Sequence, residues 1–308
     1  MPQDVHFTSE GTTVRADLYL PEGEGPFPIV VMAGGWCYVK ELVQPTYARA
    51  FVERGCAALV FDYRNFGASD GEPRQHLDPW RQIEDYKNAI SFAETLDVVD
   101  GDRIGVWGIS YSGGHALVVG ATDPRVKAVV STIPVVDGWR TLRRVHGGLG
   151  FRRLRETVLA DRRSRFLTGE HGAMPMSSKD PASEVCVWPF PEVTHGFEGL
   201  QATDAPRHQH WNTVQSVELL WDYSVMPYVR RILDTPTLMI VAEEDDITSW
   251  DLEIEVFNAL PSPNKELFVM GDTSHMVLYT NQSRLEVAAE QGARFLGERL
   301  VGRPGSPA

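Results

Sequence analysis

An apolar run, Arg103-Ile104-Gly105-Val106-Trp107, leads straight into Gly108-Ile109-Ser110-Tyr111-Ser112-Gly113, and that junction constrains the chain more than any other stretch. A buried strand that ends at Gly-x-Ser and passes through small residues into a helical pattern describes a nucleophile elbow. The turn lifts a serine hydroxyl to the carboxyl edge of a sheet and aims a helix N-terminus at it. Glycine at 108 lets the strand turn without a Cβ clash. Small side chains at Ser112 and Gly113 let the helix pack closely on the sheet, with Ser112 standing where a second glycine is usual. The bland alternative, a chance Gly-x-Ser in a loop, lacks the strand before it and the helical Tyr111-Ser112-Gly113-Gly114-His115-Ala116-Leu117-Val118-Val119 after it.

A serine so placed needs an acid and then a histidine further along the chain. Thr237-Leu238-Met239-Ile240-Val241 reads as a buried strand bounded by Pro236 and ending in Ala242-Glu243-Glu244-Asp245-Asp246. Acids at the carboxyl end of a parallel strand share the edge on which such sheets build their sites. Asp245 best fits the spacing from the strand, and Asp246 is the better candidate for capping the next helix. Glu266-Leu267-Phe268-Val269-Met270 is a further strand, followed by the loop Gly271-Asp272-Thr273-Ser274-His275. His275 would take the proton from Ser110, and Asp245 would fix its tautomer.

The chain has nine histidines, so position must select among them. His6, His76, His171, His195, His208 and His210 fall in loops or irregular sequence, and His115 lies early in the helix after Ser110, to pack or to lie near the site. His275 alone has a strand-end position in the right chain order. Backbone N–H groups should supply the oxyanion hole. One is that of Tyr111, and the other lies in Ala33-Gly34-Gly35-Trp36-Cys37 after the strand Pro28-Ile29-Val30-Val31-Met32. Trp36 is the candidate for the second donor and Cys37 the runner-up. As a thiol, Cys37 reads more readily as a small buried hydrophobe than as a reactive group. Three cysteines without close spacing suggest neither a disulfide framework nor a metal cluster.

The remaining pattern predicts an α/β fold. Residues 5–20 alternate around Glu10-Gly11 as a hairpin, and strands follow at 28–33 and 57–62, with a helix near 45–54 between them. A helix over 79–96 carries Ile83, Tyr86, Ile90 and Phe92, and a strand over 126–134 follows the elbow helix. Such alternation implies a mostly parallel sheet with helices on both faces. It breaks over 138–227, which is read as an inserted cap, leaving 1–137 and 228–308 as the core. The insert opens with Arg140, Arg143, Arg144, Arg152, Arg153, Arg155, Arg162, Arg163 and Arg165 against Glu156 and Asp161. A solvated helical face pairing with the acidic core is preferred to a cationic patch that steers an acidic substrate. Trp188, Phe190, Phe197, Trp211, Trp221 and Tyr223 are candidates for an acyl pocket, with half or more expected to serve packing instead.

A net charge of −13 disfavours nucleic acid and anionic membranes as partners. No apolar segment approaches the ~20 residues of a membrane span. Without a recognisable signal peptide and with free cysteines, the expected location is cytoplasmic.

Together the elbow, the acid strand, the His275 loop and Asp62-Tyr63-Arg64-Asn65-Phe66-Gly67-Ala68-Ser69-Asp70-Gly71-Glu72-Pro73-Arg74 resemble the α/β-hydrolase superfamily. Within it the chain is similar to X-prolyl dipeptidyl peptidase-like and dienelactone hydrolase-like serine hydrolases, most of all to small polyketide transferase or thiohydrolase members. The resemblance implies an α/β-hydrolase fold with Ser110, Asp245 and His275 as triad, Tyr111 and Trp36 as oxyanion donors, and Asp62 and Arg64 as a structural ion pair. Many relatives carry His-Gly where this chain has Gly34-Gly35, which removes a side chain that often braces the oxyanion loop. The implied reaction is cleavage of a small-molecule acyl ester or thioester, free or carrier-bound, with no cofactor or metal. An acyltransferase using the same triad is the alternative, and a Xaa-Pro peptidase and a non-catalytic binding protein carry less weight. Oligomeric state is left open, with a homo-oligomer allowed.

Overall fold

The computed structural model describes residues 2–302. Two N-terminal strands, β1 (Gln3–Ser9) and β2 (Thr12–Tyr19), form the hairpin, and β3 (Phe27–Ala33), helix α1 (Gln44–Glu53), β4 (Ala57–Phe61) and α2 (Pro79–Ala93) follow. Next come β5 (Val99–Ile109), α3 (Tyr111–Thr122) and β6 (Val126–Thr132). Residues 138–227 then hold α4 (Gly138–Thr168), β7 (Ala173–Pro175), α5 (Pro191–Thr203), β8 (Trp211–Thr213) and α6 (Val214–Trp221), and α7 (Met226–Val229) crosses the end of that stretch. The chain closes with β9 (Thr237–Ala242), α8 (Trp250–Ala259), β10 (Lys265–Met270), α9 (Val277–Thr280) and α10 (Gln282–Leu296).

Eight strands form one sheet in the order β1-β2-β4-β3-β5-β6-β9-β10. Pairing is antiparallel from β1 through β2 to β4 and parallel from there onward. Strands β4 and β9 are buried along their whole length, because helices cover both faces and leave water no side to approach. Strand β10 lies at the edge, and its Leu267, Phe268 and Val269 stay partly exposed despite their apolar character. Strands β3, β5, β6, β9 and β10 run the same way, so the loops after β3, β5, β9 and β10 emerge at one edge of the sheet.

Several local expectations are corrected. Residues 138–227 contain a short antiparallel pair, Ala173 to Pro175 against Thr213 to Trp211, where no strand was expected. Asp62 and Arg64 do not pair. Arg64 is buried against Asp85 of α2, with its Nη2 2.6 Å from Asp85 Oδ1 and its Nη1 2.7 Å from Glu10 Oε2. Asp62 instead accepts the N–H groups of Lys40 at 2.6 Å and Ala68 at 2.9 Å. Burial pushes its pKa up to about 7, against the lowering effect of those N–H groups and of the Lys40 charge. Asp246 is exposed and caps nothing, since α8 begins only at Trp250 with Ser249 before it.

The arginines of α4 divide. Arg140 and Arg144 reach Glu255 and Asp251 on α8, as a face pairing with the acidic core would. Arg165 bridges Asp161 and Glu218, and Arg162 also reaches Glu218, all within 138–227. The three cysteines are buried and unpaired.

Candidate active site

The turn at Ser110 is held in a strained backbone state, with φ 56° and ψ −120°. Backbone hydrogen bonds maintain it. The Ser110 N–H donates to Thr132 O at 2.9 Å, and its carbonyl accepts from Gly113 N at 2.9 Å and Val135 N at 3.0 Å. A Cβ at Gly108 would stand 2.0 Å from the Ser112 carbonyl oxygen, so the elbow closes only with glycine there. Strain of this kind persists where the surroundings over-determine it, and it clusters at functional sites.

Asp245 follows β9, and His275 lies in the loop after β10. His275 Nδ1 is 2.7 Å from Asp245 Oδ2. The other oxygen, Asp245 Oδ1, accepts the backbone N–H groups of Ile247 at 2.9 Å and Thr248 at 2.8 Å. These bonds occupy the carboxylate on both sides and fix the plane in which it meets the imidazole. Ser110 and His275 are nearly buried, 6% and 5% exposed, and line one small cavity. Trp36 lines the same cavity, and Tyr111 begins the helix after the serine. Among the described residues, the N–H groups of Tyr111 and Trp36 have no acceptor, so both are available to a ligand.

The loop after β3 presses directly on the elbow: a Cβ at Gly35 would lie 2.9 Å from Ser110 Cβ. Residues from 208–212 hold this loop from outside. Trp36 Nε1 donates to Asn212 Oδ1 at 3.0 Å, and His208 Nδ1 lies 3.1 Å from Cys37 O. Burial pushes the Cys37 thiol well above its ordinary range, which leaves it a packed hydrophobe and not a nucleophile at neutral pH. His115 is likewise buried, between Tyr223 Oη at 3.0 Å and Gln82 Oε1 at 3.1 Å. Burial pushes its pKa down to about 3, so it packs as a neutral ring.

Of the aromatic residues proposed for an acyl pocket, Trp188 and Phe197 line the cavity, while Phe190, Trp211, Trp221 and Tyr223 pack elsewhere. The cavity also draws on Met176, Val193, Ile247 and Met276, which come from separate elements that no local pattern connects. Tyr279 is the notable omission. Its hydroxyl stands 3.4 Å from His275 Nε2, and its ring lies 5.4 Å from the imidazole. The signal that would have found it is the spacing of four residues from His275, one turn of helix away. Among the described residues, no group of His, Cys, Asp or Glu is arranged to hold a metal ion, and no helix is long and apolar enough to cross a membrane.

Comparison with known proteins agrees with this architecture. The crystal structure of α/β hydrolase GrgF from a Penicillium species matches with a TM-score of 0.82 and 24% identity, over 98% of this chain and 99% of that one. Thiohydrolase aneE of Aspergillus aculeatus is 30% identical over 308 residues, which is 96% of this chain and 92% of the relative. Acyltransferase drtE of Aspergillus calidoustus is 30% identical over 304 residues, 97% of this chain and 96% of the relative. Residues 10–277 match the X-Pro dipeptidyl-peptidase (S15) family, and the chain belongs to that family as an enzyme of the α/β-hydrolase type.

Proposed function

We propose that this enzyme cleaves an ester or thioester of a small-to-medium acyl group through Ser110, His275 and Asp245. The observation that carries the reading is the 2.7 Å contact of His275 Nδ1 with a buried, doubly hydrogen-bonded Asp245, in a cavity shared with the strained Ser110. With Nδ1 held as the donor, Nε2 keeps a lone pair to take the Ser110 proton. The serine oxygen attacks the acyl carbonyl, and the N–H groups of Tyr111 and Trp36 receive the developing alkoxide. His275 then protonates the departing alcohol or thiol. The same imidazole activates the water that releases the acid from Ser110.

The cavity walls formed by Trp36, Tyr38, Trp188, Phe197 and Met276 are apolar and suit an apolar acyl group. Residues 138–227 act as the cap that covers it, since Met176, Trp188, Val193 and Phe197 all come from that segment. The similarity to a named thiohydrolase supports a thioester, carrier-bound or free, as the leaving side. Three buried, unpaired cysteines suit a reducing cytoplasm.

A second reading, transfer of the acyl group to an alcohol or amine, draws on the similarity to a named acyltransferase and on the near-complete burial of Ser110 and His275 from water. The test is turnover of a matched panel comprising a short acyl ester, a longer one, an acyl thioester and a Xaa-Pro amide, each with and without an alcohol acceptor. Ser110→Ala serves as the blank and is expected to fold normally and to turn over nothing. A folded, active Ser110→Ala protein overturns the triad. A transfer product that outpaces the free acid selects the second reading.

A further inference from the structure

The loop that follows β3 carries Gly34 and Gly35 and has no side chain of its own at those positions to hold its shape. We propose that Ser112, backed by Tyr63, is a positioning residue that sets this loop against Ser110 and thereby sets the width of the oxyanion hole. The inference rests on the reading of Ser110 as nucleophile and Trp36 as a donor.

Ser112 occupies the elbow position where glycine is usual, and its hydroxyl is fully buried. That hydroxyl donates to the carbonyl oxygen of Gly34, seventy-eight positions earlier in the chain. Tyr63 Oη lies 2.5 Å from the same Ser112 oxygen. A serine hydroxyl has one proton, and it is committed to Gly34, so the tyrosine must be the donor to Ser112. The relay therefore runs from Tyr63 through Ser112 to the Gly34 carbonyl, with all three residues buried.

A fixed carbonyl has a mechanical consequence. The Gly34 C=O and the Gly35 N–H belong to one planar peptide unit, so orienting the first orients the second. That unit delivers Gly35 to within van der Waals contact of the elbow, where a Cβ would already be 3.3 Å from Ser110 Oγ. The next peptide carries the Trp36 N–H. The far end of the loop is tied by the neighbouring residue: Asp62 accepts the Lys40 N–H at 2.6 Å. One dipeptide at the end of β4, Asp62-Tyr63, thus pins residues 34 and 40 together. The long turn-rich motif that begins at Asp62 gains a task in the chemistry without touching substrate.

The experiment compares Ser112→Ala, Tyr63→Phe and the double variant on whichever ester or thioester the wild type turns over. Four quantities are read: kcat, KM, the pH–rate profile, and the affinity of a boronic acid bearing the same acyl group. A boronate adduct of Ser110 places an oxygen in the oxyanion hole, whereas bound substrate does so weakly. For Ser112→Ala we expect kcat to fall roughly 10- to 100-fold with KM nearly unchanged, as for a hydrogen-bond donor moved out of line. Boronate affinity should fall in the same proportion as kcat/KM, and the acid limb of the profile should stay in place. Tyr63→Phe should show a smaller loss of the same form. The double variant should be no worse than Ser112→Ala, because Tyr63 acts through it.

A Ser112→Ala enzyme within twofold of wild type overturns the inference. So does a loss confined to KM, a displaced acid limb, or unchanged boronate affinity. Where Ser112→Ala fails to fold, Tyr63→Phe keeps the buried ring and carries the same readouts. Labelling of wild type with a fluorophosphonate, checked for its site by peptide mapping, separates this inference from the one beneath it. Labelling at Ser110 together with an unaffected Ser112→Ala overturns only the brace. Absence of labelling at Ser110 overturns the nucleophile and the brace with it.

Discussion

Gly35→Ala places a single methyl group at the point where the loop after β3 meets the elbow. An alanine Cβ at that position would lie 2.9 Å from Ser110 Cβ, 3.2 Å from Ile109 O and 3.3 Å from Ser110 Oγ. Carbon atoms pack comfortably at about 3.5–4.0 Å, so one surface must recede by roughly 0.6–1.1 Å. Ile109 O is the backbone of β5, and Ser110 is held by hydrogen bonds to Thr132, Gly113 and Val135. The elbow therefore stays, and the loop gives way. A retreat of that size carries an N–H···O contact from about 2.9 Å to beyond 3.5 Å, which is no longer a hydrogen bond.

One lost oxyanion donor costs about 3–4 kcal/mol of transition-state stabilisation, or two to three orders of magnitude in kcat. The Tyr111 N–H sits on the helix side of the elbow and stays in place, so the variant keeps residual activity. Overpacking should lower folding stability by only about 1–3 kcal/mol. The assay is kcat and KM alongside a urea unfolding curve, with Gly199→Ala as control. Gly199 lies in α5, with nothing within 4 Å of an added Cβ. That control should be neutral or slightly stabilising, since alanine favours a helix over glycine. A folded Gly35→Ala enzyme with kcat within threefold of wild type would refute the assignment of this loop to the oxyanion hole.

Further predictions follow from the same geometry. Asp245→Asn keeps the shape of the site but offers an amide where Nδ1–H needs an acceptor, so kcat should fall by about four orders of magnitude while the unfolding curve barely moves. His115 stays neutral in the folded protein down to about pH 3, whereas its unfolded counterpart charges near 6.5. The unfolded state therefore binds the extra proton between those limits, and this histidine's contribution to stability is full above pH 6.5 and lost as pH falls. His115→Gln should be the less stable protein at pH 7.5, and its deficit should shrink by roughly 1.4 kcal/mol per pH unit below 6.5 in urea titrations. Glu253, beneath Asp245, has its carboxyl pushed well above the usual range by burial and by the Asp245 charge, and it accepts the Thr248 hydroxyl at 2.7 Å. Glu253→Gln should leave activity and melting temperature near wild type at pH 7. Glu253→Ala should cost about 1–3 kcal/mol by orphaning that hydroxyl.

The parts legible in the sequence are those that local physics encodes. Central strands announce themselves as unbroken apolar runs because both faces are covered, and the elbow does so because its closure excludes a Cβ at Gly108. Chain order then singled out Asp245 and His275 for pairing, and they are found 2.7 Å apart. What was not legible depends on which elements meet. Arg64 pairs with Asp85 and not with the nearer Asp62, because α2 packs its buried face against the loop that begins at Asp62. The 31-residue span of α4 holds a break at Gly147 (φ 60°), and its register against α8 decides which arginines find carboxylates.

The same division explains why the chemistry can be read more easily than the substrate, and why the two are physically coupled. Ser110, Asp245 and His275, the proposed nucleophile, acid and base, each follow a strand, where a few consecutive residues determine the geometry. The cavity wall is built from Met176, Trp188 and the face of α5 that carries Val193 and Phe197, which converge only when residues 138–227 fold onto the sheet. Yet that segment also reaches the oxyanion loop, through Asn212 on the Trp36 indole and His208 on the Cys37 carbonyl. Ser112 and Tyr63 hold the loop from within the core, and residues 208–212 hold it from the side of the 138–227 segment. None of residues 208–212 lines the cavity, yet a substitution there acts on the loop that carries the Trp36 N–H. Under the proposed function, a substitution in 208–212 should therefore alter kcat first, whereas one made at Val193 or Met176, which line the cavity, should alter KM first.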